Sequence, residues 1–332
     1  MSTAATSSSG PQTTPPHDSR RTHALVFAIM ALILVGAPLV GVYPVFMMKV
    51  MCFALFACAF NLLLGFGGLL SFGHAMFLGG AGYAAAHAAK VWGFTPELAI
   101  AFATLCTTAL GWVTGLLAIR RQGIYFAMIT LALSQLIFFL ALQLPFTGGE
   151  EGIQGVPRGR LFGVLDLSDN LAMYFFVLAV CAAGFWLIHR TIHSPFGHAL
   201  TAIRENEPRA ISLGYDVSRY KLLAFILSAT VAGVAGALYV PQVGIINPGE
   251  MSPAASIEIA IWTAVGGRAT LIGPIIGAFF VNGAKSFFTV AFPEYWLYFL
   301  GAMFIGVTLF LPQGIVGLIR KLAAKTTKGG AK

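Results

Sequence analysis

Residues 194–221 read SPFGHALTAIRENEPRAISLGYDVSRYK, and the rest of the chain is organised around them. The stretch holds Arg204, Glu205, Asn206, Glu207, Arg209, Asp216, Arg219 and Lys221 in a protein in which only 10% of residues are charged. An apolar run long enough to cross a bilayer lies on either side of it. Two readings stand. It is an ordinary inside loop, held there by its basic residues, or it is a surface on which a soluble partner docks.

Composition sets the class. Hydrophobic residues make up 58% of the 332, with 28 Phe and 38 Gly, and the mean hydropathy is +0.83. A soluble domain is about 45–50% apolar and about 25% charged. The pattern predicts an all-α, polytopic transmembrane helical bundle, with Gly allowing helices to approach closely. The net charge of +8 sits at the ends of apolar runs, which orients a protein in the lipid bilayer and is no nucleic-acid footprint. Cys52, Cys58, Cys106 and Cys181 all fall inside apolar runs and read as small buried hydrophobes. The first 19 residues are Ser/Thr/Pro-rich without the apolar core of a secretory signal. Residues 1–23 are expected to form a disordered cytoplasmic tail, 24–318 the membrane domain and 319–332 a basic cytoplasmic tail.

A bilayer core takes about 20 apolar residues per helix. Candidate spans lie at 24–42, 45–64, 69–89, 97–118, 124–144, 171–189, 222–240, 254–266, 271–289 and 295–312. The stretch 254–266 is too short to cross as a straight helix, so it is read as broken or re-entrant and the span count as eight to ten. With the N-terminus inside and spans alternating, inner segments hold 15 Lys and Arg and outer segments only Lys90, Arg158 and Arg160. Both termini and the 194–221 loop are therefore expected in the cytoplasm. The segment 145–170 is then outside, as a solvated loop or as a lid or contact for an external partner. Gly67-Gly68 and Gly266-Gly267 each precede a span and hint at a duplicated half.

No phosphate-binding loop, zinc-protease motif or Ser-His-acid set is present. A membrane enzyme is therefore disfavoured, and ATP hydrolysis by this chain has no visible machinery. Lys49, Glu258 and Lys285 lie near the predicted outer ends of their spans, where the two lysines are expected to snorkel. The stretch 62–90, LLLGFGGLLSFGHAMFLGGAGYAAAHAAK, mixes seven Gly with Ser71, His74 and Tyr83. Either these glycines form packing surface around a satisfied His74, or a Gly-rich break lines a path for a small polar solute. Thr130, Ser134, Gln135 and Glu258 are further candidates for that path. Ser and Thr in such helices also commonly bond their own backbone.

Four ordered motifs carry a resemblance: 61–86 NLLLGFGGLLSFGHAMFLGGAGYAAA, 123–135 GIYFAMITLALSQ, 147–157 TGGEEGIQGVP, and 194–239 from SPFGHAL to GALY. Together they resemble bacterial ABC-importer permeases of the branched-chain amino acid type, over about residues 45–318. Residues 239–288 and 292–318 look more like the urea-importer branch of that family. The resemblance implies one permease of a five-component inner-membrane importer, with a second permease, two ATP-binding subunits and a periplasmic solute-binding protein. No cofactor would be bound by this chain, and ATP would be used by the partners. Ala202–Gly214 resembles the cytoplasmic coupling helix of such permeases, so Arg204, Glu205, Asn206, Glu207, Arg209 and Gly214 are the expected contacts with an ATPase. Here Glu207 is followed by Pro208 and Arg209, a departure from the common Glu-Ala-Ala form. The resemblance names urea as the first solute and branched-chain amino acids as the second. A stand-alone channel or facilitator is the reading from another class, although it leaves the 194–221 loop unexplained.

Overall fold

The computed structural model describes residues 43–163, 165–310 and 314–318, with 34–36, 38 and 41 ahead of them. The expected tails at 1–23 and 319–332 and nearly all of the candidate span 24–42 lie outside the described residues. One compact unit begins at Pro44 and contains every element named below.

Among the described residues the chain is a polytopic helical membrane bundle. Six helices are long and apolar enough to cross a bilayer. They are α1 (Pro44–Asn61, continued by a π-turn over Leu62–Phe66), α3 (Pro96–Ala118), α4 (Ile124–Gln143), α5 (Asn170–Ile192), α8 (Val217–Val243) and α10 (Gly273–Ala291). Between them lie α2 (Ala75–Lys90), the short pair α6 (Pro195–Glu205) and α7 (Glu207–Ser212), α9 (Pro253–Gly266) and α11 (Trp296–Phe310).

Burial sorts these helices. The most apolar window of α1 is 83% buried and that of α8 72%, against 28% for α3, α4 and α5. Lipid is as apolar as Leu, so helices are drawn together by close packing rather than by expulsion from water. Gly236 of α8 lies so close to the Leu78 carbonyl of α2 that a β-carbon there would overlap it, and Gly111 of α3 meets the Ala229 methyl in the same way. A Thr108–Thr230 hydroxyl pair at 2.9 Å ties α3 to α8.

Two elements start inside the bundle rather than at its ends. The candidate span 69–89 is not helical from its start. The π-turn ends at Gly67, Gly68 takes a φ of +69° that suits only glycine, and helix resumes at Ala75. His74, just before α2, touches Ser228, which stands about 16 Å along α8 from its N-terminus. The 14-residue α9 is likewise too short to cross, being about 21 Å long. Ahead of it, residues 244–252 run from the two-residue strand Ile245–Ile246 into a single 3₁₀ turn, Pro248–Met251.

Neighbouring contacts orient both. One end of the bundle, the near end, carries α6 and α7. The far end carries the 145–169 segment, whose strand β1 (Ile153–Gln154) pairs antiparallel with β4 (Ile245–Ile246). There α2 finishes, with Lys90 Nζ donating to the Gln154 carbonyl at 2.6 Å. At the near end α9 finishes, in a turn whose Thr270 carbonyl and Ala269 N–H bond Asn61 of α1 at 2.8 and 3.1 Å. The half-helices α2 and α9 thus run in opposite directions from a common depth. The two glycine pairs, read as a hint of duplication, sit in neighbouring near-end turns: a β-carbon on Gly65 would meet both Asn61 and Ala269.

The far-end segment is ordered structure rather than a loose loop. Arg158 donates to the Pro241 and Gln242 carbonyls at 3.2 and 3.5 Å, satisfying the C-terminal end of α8. Gly152, with φ +69°, lies against the Ile246 carbonyl. A small hairpin pairs β2 (Arg160–Leu161) with β3 (Leu165–Asp166). There the Ser168 backbone N–H and hydroxyl, with the Arg160 guanidinium, hold the Asp166 carboxyl below its usual range.

Candidate functional site

The near-end stretch folds from its caps inward. Ser194 accepts from the Gly197 N–H and Pro195 opens α6. Asn206 breaks the helix at φ −153° and caps α7 by accepting from the Arg209 N–H at 3.1 Å. Gly214, at φ +87° with open space around it, turns the chain, and Asp216 caps α8. Ile203, Ala210 and Val217 bury together beneath Tyr220, on which Phe196 stacks at 5.6 Å.

Charge is used here in two ways. Arg204, expected as a docking contact, is exposed, and its guanidinium also donates to the Gly65 carbonyl in the π-turn of α1 while its stem covers Gly68. Glu207 was expected as another, yet it accepts from Lys221 Nζ at 2.7 Å and from Gln122 Nε2 at 2.6 Å. Lys221 has only 8% of its side chain exposed, so this ion pair is internal. The physical reason is the hairpin itself, which folds α6 and α7 back onto the bundle. Glu205, Asn206, Arg209 and Gly214 do face out, joined by Ile211 and Leu213, 58% and 69% exposed. Those two apolar residues were not singled out from the sequence. Their pattern there is indistinguishable from core.

The residues read as a solute path fall in different places: Gly73, beside His74, packs against Thr130 and Ser134, whereas Tyr83 and Glu258 line two separate cavities. His74 is fully buried among Phe56, Phe60 and Phe77, with ring centroids 5.3–5.5 Å away. Its Nε2 lies 3.2 Å from Ser228 Oγ, whose proton goes to the Ala59 carbonyl. Nε2 therefore carries the hydrogen and donates to Ser228, which makes His74 a core residue locking α2 to α8. Ser71, also fully buried, has a hydroxyl without a partner among the described residues. Thr130 bonds the Ala127 carbonyl of its own helix at 2.9 Å. Ser134 donates to the Met251 carbonyl at 3.3 Å, while the amide nitrogen of Gln135 is buried and unpaired. Tyr83 lines a far-end cavity of about 530 Å³ with His87, Trp92 and Phe102.

Glu258 belongs to a different cavity, of about 350 Å³, between α1, α9 and α10. It pairs with Lys285 Nζ at 2.8 Å, which ties α9 to α10. Lys49 lines the same cavity with its ammonium 5.5 Å from the Phe53 ring centroid and 5.7 Å from that of Tyr239. Glu250, on the 244–252 segment, lines it too and accepts from Tyr239 Oη at 3.0 Å. The sequence signal for Lys49 and Lys285 was their charge inside a span. Glu250 gave none, because the segment that carries it reads as a connecting loop.

The model of the family described as "Branched-chain amino acid transport system / permease component" matches residues 42–308. The high-affinity branched-chain amino acid transport system permease protein LivM of Salmonella typhimurium is 27% identical over 305 residues, covering 84% of this chain and 72% of LivM. LivM of Escherichia coli K12 is 27% identical, covering 85% and 71%. The autoinducer 2 import system permease protein LsrC of Klebsiella pneumoniae is 30% identical over 59% of this chain and 58% of LsrC. No solved structure matches significantly. A bundle of apolar crossing helices, two half-helices meeting inside it and a polar helical hairpin at one end therefore belong to a member of the branched-chain amino acid transport system permease family.

Proposed function

We propose that this chain is one of two permease subunits of an ATP-driven importer in a bacterial inner membrane, carrying branched-chain amino acids inward. Both termini and the near end face the cytoplasm, and the 145–169 segment faces the periplasm. The α6–α7 hairpin carries the reading. Outwardly it presents Glu205, Arg209, Ile211 and Leu213, and inwardly Arg204 grips the π-turn of α1. A partner that moved this hairpin would pull directly on the turn where α1 gives way to the 67–74 break. ATP binding and hydrolysis belong to separate subunits docked on that hairpin, and a periplasmic solute-binding protein delivers the solute at the far end.

The names of the two LivM relatives support the choice of solute, as does the four-charge cavity around Glu258. Urea, a neutral solute, is the second reading and rests on the resemblance of residues 239–288 and 292–318 to urea-importer permeases.

The test is paired. Cells with and without the gene are compared for uptake of labelled leucine and urea, and the tagged chain is purified to identify its partners. Leucine uptake that depends on the gene, with a second permease and ATPases co-purifying, supports the reading. Loss of urea uptake alone replaces the solute, and conduction by the chain alone points to a channel.

A further inference from the structure

Building on the amino-acid reading above, we infer that the cavity between α1, α9 and α10 receives the zwitterionic end of an α-amino acid, with Lys49 taking the carboxylate and Glu250 the ammonium. Its walls carry two lysines and two glutamates, so their formal charges cancel. A solute with a single charge of either sign would leave one wall charge of its own sign uncompensated. A solute with both charges a few ångströms apart would not, and an uncharged solute needs no fixed charges at all.

The four groups are not equivalent. Glu258 and Lys285 are matched to each other at 2.8 Å. Lys49 and Glu250 are not: Glu250 takes a hydrogen bond from Tyr239 Oη, and Lys49 sits over the rings of Phe53 and Tyr239. No described carboxylate lies within 4.0 Å of the Lys49 ammonium. A charge at membrane depth is costly, and one held over aromatic faces without a counter-ion is poised for a partner that comes and goes. Tyr239 carries both groups, one against its ring and one at its hydroxyl, which holds the two ends of the site in a fixed relation. Trp262, 4% exposed, adds an indole N–H with no partner among the described residues. Phe56 and Leu78 supply an apolar wall for an aliphatic side chain, and about 350 Å³ lies within the range of small-molecule sites.

The test uses the whole assembly in proteoliposomes, with Lys49→Met, Glu250→Gln and the charge swap Lys49→Glu with Glu250→Lys. Each single variant is expected to raise the KM for leucine at least tenfold with assembly yield unchanged, and the swap to recover part of that loss. A second measurement needs no variant. In the wild-type assembly without its solute-binding protein, the rate at which an amine-specific reagent modifies Lys49 is followed by mass spectrometry. Saturating leucine is expected to slow it at least threefold, and isoamylamine, which lacks the carboxylate, to leave it unchanged. Unchanged KM in both single variants, or a Lys49 rate indifferent to leucine, overturns the site and leaves the amino-acid reading standing. A wild-type assembly that imports no amino acid overturns both.

Discussion

The backbone N–H of Ala75, the first residue of α2, donates to the hydroxyl of Ser256 in the first turn of α9, fully buried at 3.1 Å. That bond joins the starts of two half-helices that leave the middle of the bundle in opposite directions. The first N–H groups of a helix have no partner within it, and in lipid no water replaces them. Ser256→Ala is therefore expected to lower the stability of the purified protein by about 1–3 kcal/mol, the cost of a buried unpaired donor. Ser134→Ala, which removes a 3.3 Å bond to the Met251 carbonyl, should cost about 0.6 kcal/mol, a common value between membrane helices. Thermal unfolding in detergent ranks the two, and equal losses would contradict the junction.

The ion pair between Lys221 and Glu207 gives a second expectation. Lys221→Met strands a carboxylate that is 23% exposed, so the loss should be about 2–3 kcal/mol, short of the ~3–5 of a fully buried pair. Adding Glu207→Gln should restore most of it. The coupling energy from a double-mutant cycle is the measurement, and additive losses would mean the pair is not coupled.

Glycine positions separate backbone from side-chain obstruction. A β-carbon at Gly73 would overlap the Thr130 carbonyl, whereas at Gly79 it meets the flexible side chain of Met251. Gly73→Ala should cost more than about 2 kcal/mol and lower the yield of folded protein, and Gly79→Ala should cost less than half of that. Both variants should still bind the ATPases, since neither touches the hairpin.

Docking is expected to depend on the outward residues of that hairpin. Arg209→Glu with Leu213→Ala should reduce ATPase co-purification at least tenfold with thermal stability unchanged, because both side chains are exposed. Arg204→Ala should retain the ATPases and lose uptake. The opposite pattern would exchange the roles assigned to these residues.

The β2–β3 hairpin has its own pH dependence. A carboxyl held below its usual value in the fold adds stability that is present above the unfolded pKa, about 3.9, and is lost as pH falls through the lower, folded value. Asp166 is such a group. Proteolysis within residues 160–168 should be independent of pH from 7 to 5 and accelerate below about 4. In Asp166→Asn it should be fast throughout.

The sequence alone determined that this is a helical membrane bundle, because apolar runs of bilayer length separated by basic turns admit few other folds. It also offered the breaks: a Gly-rich interruption within 62–90 is one of its two readings, and 254–266 is too short to cross as a straight helix. What those breaks do was decided by tertiary structure. Hydropathy cannot tell a helix facing lipid from one facing protein, so α1 and α8 look like α3 to α5 in sequence although only the first two form the core. Nor does it say which charges find partners. Glu207 looks like a free surface charge until the α6–α7 hairpin folds it against Lys221, and Arg204 stays exposed while its guanidinium reaches the Gly65 carbonyl. Glu250 looks like a loop residue until the 244–252 segment enters the bundle and sets it on the Tyr239 hydroxyl. Each of these pairings spans elements far apart along the chain or depends on a turn whose direction is set elsewhere, and no local pattern records it.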